Sequence, residues 1–238
     1  MGRFSRPLAA EFAAFAAIGP DAHVLDVGAG TGALTSELAR SWRVVAAEPS
    51  PPFADALRAT NPATEVHVAP AEALPFADGA FDAALAQLVV HFMDDPVAGL
   101  REMARVTRSG GVVAACVWDY GGRRAPLSPF WNVLAELDPT AENESHLAGA
   151  RDGHLVELLR AAGVRDPEQG ELTVDVEYSS FEEWWEPYTQ GVGPAGAYVA
   201  RLGDGDRARL RDACRAALPE APFVVHGTAW AARGTVQP

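Results

Sequence analysis

Along the first half of the chain, short apolar runs alternate with stretches in which apolar residues recur every three to four positions. The runs fall near 23–28, 43–48, 65–68, 81–86 and 111–118. Their hydrophobicity is continuous, not alternating, as expected of strands buried on both faces of a parallel sheet. The helical period predicts helices near 33–41, 51–59 and 96–107. The first carries Leu34 and Leu38 one turn apart; the last opens on Asp95-Pro96, a favourable helix entry, and stops before Ser109-Gly110-Gly111. This alternation predicts a doubly wound α/β sheet covered on both faces, its right-handed crossovers gathering the loops that follow the strands at one edge.

The second half is less regular. Past Trp118-Asp119-Tyr120 the sequence is rich in Pro, Gly and polar residues and contains Phe130-Trp131. A helix is expected from His154 to Ala162, closing at Gly163, then a strand near 171–178, two helical stretches reaching about Leu218, and a final strand from Phe223 to Ala231 that completes the sheet. An amphipathic helix, Leu8 to Ala17, precedes everything else. A length of 238 residues at 48% hydrophobic composition supports one large domain, 1–238.

Composition narrows the function. A formal net charge of −13 opposes binding to a phosphate backbone, so no nucleic-acid partner is expected. Every basic side chain is Arg. Without lysine, Schiff-base chemistry and a Walker-type phosphate loop are excluded. No apolar run is long enough to span a bilayer and the first residues do not follow signal-peptide order, so a cytoplasmic protein with no membrane partner is expected. Cys116 and Cys214 have no metal-ligand neighbours at suitable spacing, which predicts reduced structural thiols and no metal site.

The candidate chemistry centres on Val24-Leu-Asp-Val-Gly-Ala-Gly-Thr-Gly32, where an apolar strand breaks into three alternate glycines before a helix. Glycine at 28, 30 and 32 permits positive φ and close approach of a ligand to the backbone. Twenty positions past Gly28, the next apolar run ends on Glu48, where an acid reaches ribose hydroxyls in doubly wound folds. The spacing G-x-G-x-G after Asp26 differs from the dinucleotide fingerprint. It resembles the first motif of class I S-adenosylmethionine-dependent methyltransferases. The likeness continues through Glu48-Pro49-Ser50, Ala71-Glu72-Ala73-Leu74-Pro75-Phe76 with Asp78-Gly79-Ala80-Phe81-Asp82, and Arg105-Val106-Thr107-Arg108-Ser109-Gly110-Gly111.

The resemblance implies a Rossmann-like, seven-stranded, mostly parallel sheet whose last two strands form an antiparallel edge hairpin, with insertions at about 119–150 and 179–220 capping the site. It implies S-adenosylmethionine as cofactor, held by Asp26, Gly28, Ala29, Gly30, Glu48, Pro49, Ala71, Glu72 and the main chain of Gln87. Many relatives carry an acid where this chain has Pro70, which leaves the adenine edge to the Ala71 amide and Glu72. Arg3 or Arg6, before the first helix, is a candidate partner for the cofactor carboxylate.

His91 lies beside the transferring methyl in this architecture, and imidazole is the side chain best suited to act as a base near neutral pH. Trp118, Tyr120, Trp131 and Trp185 are candidates for an apolar pocket taking a small, aromatic or apolar acceptor. Two alternatives stay open: a protein of this fold that binds the cofactor without transferring methyl, and a nicotinamide oxidoreductase. The acceptor and the oligomeric state have no signal in the sequence.

Overall fold

The computed structural model describes residues 2–141 and 143–237. Seven strands form one sheet: β1 (His23–Val27), β2 (Arg43–Ala47), β3 (Glu65–His67), β4 (Phe81–Gln87), β5 (Thr107–Trp118), β6 (Arg165–Tyr178) and β7 (Phe223–Thr235). Their order across the sheet is β3-β2-β1-β4-β5-β7-β6. Strands β1 to β5 pair in parallel, with Asp26 beside Ala46 on one side and beside Leu85 on the other. β7 runs antiparallel to both of its neighbours.

The helices are α1 (Gly2–Ala16), α2 (Ala33–Leu38), α3 (Pro51–Thr60), α4 (Pro96–Val106), α5 (Ser128–Leu137), α6 (His154–Ala161), α7 (Phe181–Trp185), α8 (Gly193–Arg201) and α9 (Asp204–Ala217). Helices cover both faces of the sheet, the doubly wound arrangement expected from the sequence. α4 shows why the pattern was readable. Asp95 caps it by accepting the Ala98 amide hydrogen at 3.0 Å, Pro96 fills the first turn, and Gly99, Leu100, Met103 and Val106 form its buried stripe. The core beneath holds Leu25, Leu85, Ala84, Val113 and Phe12 at zero exposure.

Five elements differ from the sequence reading. α5 is a ten-residue helix in a stretch expected to be irregular. Its Ser128-Pro129 start reads as a break, yet Pro in the first turn of a helix displaces no hydrogen bond. β5 begins at Thr107, not near 111, because Thr107 pairs with Phe81 across a register shift before the Val112 ladder starts. β6 and β7 are each longer than expected, pairing from Arg165–Thr235 to Tyr178–Phe223. α1 starts at Gly2, so Arg3 and Arg6 lie within the helix, not ahead of it.

Candidate active site

The loop from β1 to α2 has Gly28 at φ 68°, Gly30 at φ 56° and Gly32 at φ 91°. Gly28 and Ala29 donate their amide hydrogens to the Ala47 carbonyl at 2.7 and 3.1 Å, which folds the loop back over the end of β2. A Cβ on Gly28 would lie 2.4 Å from Val89 Cγ1, so the missing side chain admits the segment after β4. At Gly30 an added Cβ would meet nothing within 4 Å. One glycine is filled by protein; the other faces open space.

Glu48 ends β2 beneath that space and is 5% exposed. Its Oε2 accepts the Gly30 amide hydrogen at 2.8 Å and its Oε1 accepts that of Ser50 at 2.9 Å. Each carboxylate oxygen keeps a further acceptor site, so two adjacent hydroxyls of one ligand can be held without displacing the backbone. Pro49, between these contacts, is exposed.

Asp26 does different work. It is 1% exposed, accepts the Thr35 hydroxyl at 2.5 Å, and ties β1 to α2 from below the loop. Burial pushes its carboxyl up to about 7, against the lowering effect of Thr35. Ala71 is buried against α4, where a Cβ on Gly99 would come within 3.3 Å of its own. Glu72 accepts the Asp95 amide hydrogen at 3.3 Å. The same segment is clipped to α4 by Arg105, which donates to the carbonyls of Leu74 and Phe76 and to Asp78 and Glu102.

Gln87 closes β4. Its amide donates to the Ser5 carbonyl of α1 at 2.9 Å, and its Oε1 is buried with no hydrogen-bond partner. Arg3 pairs with Glu183 of α7 at 2.5 Å and stacks over Tyr178. His91 sits in a single 3-10 turn, Val90–Phe92, and is 9% exposed. Its ring lies 4.0 Å from Phe92 and 6.2 Å from Tyr120, and its Nδ1 is buried without a partner. Burial lowers its pKa to about 4, so the imidazole is neutral at pH 7.

The aromatic candidates separate. Trp118 is wholly buried, edge-on to Phe4 at 6.2 Å, and Trp185 lies parallel to Phe181 at 6.1 Å within a cluster including Tyr188. Trp131 is 9% exposed and donates its indole hydrogen to Glu144 at 3.1 Å. Tyr120 interacts with the same carboxylate, and burial raises the pKa of its phenol. The site thus brings together Gly28, Ala29, Gly30, Glu48 and, through Val89, the turn bearing His91. Trp118 and Trp185 are set in the interior.

Two features had no sequence signal. Val89 fits against Gly28 by shape alone, and Glu144 lies in an irregular stretch where an acid reads as surface. Phe92, 72% exposed at the end of the 3-10 turn after β4, and Phe53, 52% exposed in the first turn of α3 after β2, also stand at the carboxyl edge of the sheet.

Residues 25–115 match a family model described as a methyltransferase domain. The chain is 32% identical over 180 residues to a demethylmenaquinone methyltransferase of Mycolicibacterium vanbaalenii, covering 74% of this chain and 75% of the relative. Among solved structures, the YcgJ protein of Bacillus subtilis superposes with a TM-score of 0.64 at 17% identity, over 99% of both chains. The [4+2]-cyclase SpnF superposes with a TM-score of 0.56 at 21% identity, over 99% of this chain and 82% of the other. At such identities these structures share the fold.

Proposed function

The chain belongs to the class I S-adenosylmethionine-dependent methyltransferases, and from that premise we propose that it transfers the methyl group to a small apolar or aromatic metabolite. The observation that carries this reading is Glu48, a buried carboxylate held 2.8 Å from the Gly30 amide beneath the open face of the glycine loop.

The bound cofactor supplies an activated sulfonium methyl group. The protein's part is then chiefly positional: the acceptor must be held in line and close to that methyl. Gly28, Ala29 and Gly30 offer backbone at close range, and Glu48 accepts the two ribose hydroxyls. Pro49 shapes the turn that brings the Ser50 amide under Glu48. Ala71 and Glu72 border the adenine, and the Gln87 main chain borders the amino-acid end. Asp26 supports the loop through Thr35.

His91, neutral at pH 7, is available to hydrogen-bond an acceptor hydroxyl or amine through the Nδ1 that has no partner in the protein. With a pKa near 4 it is a weak base, and it suits orientation better than proton abstraction. The segments 119–150 and 179–220 contribute the acceptor side of the site, Tyr120 lying 6.2 Å from the His91 ring. The partner is a small molecule, with no nucleic acid or membrane required, and no described helix is long and apolar enough to cross a membrane.

Calorimetric titration with S-adenosylmethionine and its demethylated product tests the reading. Wild type binds both, and Glu48→Ala weakens each by about 1 to 3 kcal/mol, the scale for stranding buried polar partners. A folded wild type that binds neither overturns the proposal. The similar Mycolicibacterium protein makes demethylmenaquinone the first acceptor to assay.

A further inference from the structure

Glu144 is a buried carboxylate at 6% exposure, placed by the short turn Glu144–His146 against α5. It closes a cavity of about 20 Å³ whose wall includes Tyr120, Arg123, Ser128, Trp131 and Asn143. That is room for one polar group, since a single water needs roughly 10 to 15 Å³.

The cavity adjoins the cofactor loop through a short series of contacts. Val89 fills the place a Cβ would take on Gly28, and His91 follows two residues later. The His91 ring lies 6.2 Å from that of Tyr120, which stands just beyond the end of β5, where Cys116 pairs with Gln87 of β4. Tyr120 thus places one wall of the cavity near the carboxyl ends of the two central strands.

Its buried anionic group is Glu144. The Trp131 indole can only donate, and it donates to Glu144; the Tyr120 hydroxyl also interacts with that carboxylate. An ionised carboxylate has about four acceptor positions, so about two remain. Among the described residues no cation forms an ion pair with Glu144. Arg123 lines the same wall, and His146 attracts the carboxylate. A buried carboxylate lacking a cation is costly, and burial raises its pKa accordingly. A ligand that donates a hydrogen bond lowers that cost; an anion or a pure acceptor raises it.

We propose that Glu144, with Tyr120 and Trp131, is the polar end of the acceptor pocket and selects molecules that present a hydrogen-bond donor, a hydroxyl or a protonated amine, on a flat apolar body. The assignment to the acceptor rests on the methyltransferase reading above. Glu144 is then a specificity-determining residue, and the aromatic walls take the apolar body.

The test follows the indole N–H resonance of Trp131, identified by its loss in Trp131→Phe, during titration with phenol, benzylamine, toluene and benzoate in the presence of S-adenosylhomocysteine. Phenol or benzylamine should shift it saturably, and Glu144→Gln, which keeps the shape and an acceptor for Trp131, should weaken that binding at least about tenfold. The same variant should bind S-adenosylhomocysteine within about twofold of wild type. Phenol alone assigns the hydroxyl and benzylamine alone the amine. Equal response to toluene or benzoate, or donor binding unchanged in Glu144→Gln, overturns the proposal. Donor binding that depends on Glu144 in a protein that does not bind S-adenosylhomocysteine overturns the methyltransferase reading and leaves the donor site standing.

Discussion

Gly28 and Gly30 share a backbone conformation and differ in what lies beside them, so they separate stability from binding. Gly28→Ala drives a methyl into Val89 and strains a residue at φ 68°; it should destabilise the fold by about 2 to 4 kcal/mol, measured by denaturant unfolding. Gly30→Ala meets no protein atom, so its cost should stay near the 1 to 2 kcal/mol of a left-handed residue. Its loss should appear in calorimetry, as cofactor affinity reduced at least about tenfold, because the methyl enters the space kept for the ligand.

Asp26 gives a prediction in pH. The unfolded chain releases this proton near 3.8, whereas the folded chain holds it until about 7. The folded state binds more protons across that window, so this group's contribution is full below about pH 4 and is lost as pH rises toward 7. Thermal unfolding of Asp26→Asn and wild type, compared at pH 4, 5.5 and 7, should show the difference moving steadily in the variant's favour. A constant difference would mean that the carboxyl ionises alike in both states.

Among elements, α4 holds the segment proposed to border the adenine. Arg105 holds the segment 72–78 by two carbonyls and the Asp78 carboxylate, is braced by Glu102 on its own helix, and is 31% exposed. Arg105→Ala should cost about 1 to 3 kcal/mol in denaturant and lower S-adenosylhomocysteine affinity a few-fold by calorimetry, with no contact to the ligand removed. A stability loss with unchanged affinity would confine Arg105 to the scaffold.

The legibility of elements followed how local their causes are. β1, β2 and β4 were readable because continuous apolar runs declare burial on both faces, and α4 because its cap, proline and stripe lie within a dozen residues. α5 was not, since it packs on α9 and its Phe130 stacks on Tyr188, both far along the chain. The glycine loop and Glu48 are legible from spacing. Val89 against Gly28, and the meeting of Glu144 with Trp131 and Tyr120, depend on tertiary approach and leave no trace in the local sequence.

At the scale of the molecule, α1 reaches three distant places. Its Phe15 carbonyl accepts from Arg233 of β7 at 2.7 Å, its Ser5 carbonyl accepts from Gln87, and Arg3 reaches Glu183. Helix, sheet and cap are thus linked, so ligand binding should stabilise the chain as a unit. At a hundredfold excess over Kd the gain is about 2.7 kcal/mol, which for a chain of this size raises Tm by roughly 5 to 10 °C. Scanning calorimetry with S-adenosylhomocysteine should show one transition moving by that amount; a second, unmoved transition would show that the cap melts separately.

The place of β7 between β5 and β6 also bears on how the protein is made. A ribosome has already delivered β5 and β6 before it reaches Phe223, and until β7 arrives β5 is paired on its β4 side alone and β6 has no partner strand. The Val112–Trp118 margin of the nascent sheet is left as an apolar, unpaired edge, the kind that recruits other chains. Completion of the sheet is therefore deferred until Phe223–Thr235 has been made, and a premature stop before Phe223 removes the strand that joins β6 to the rest of the sheet.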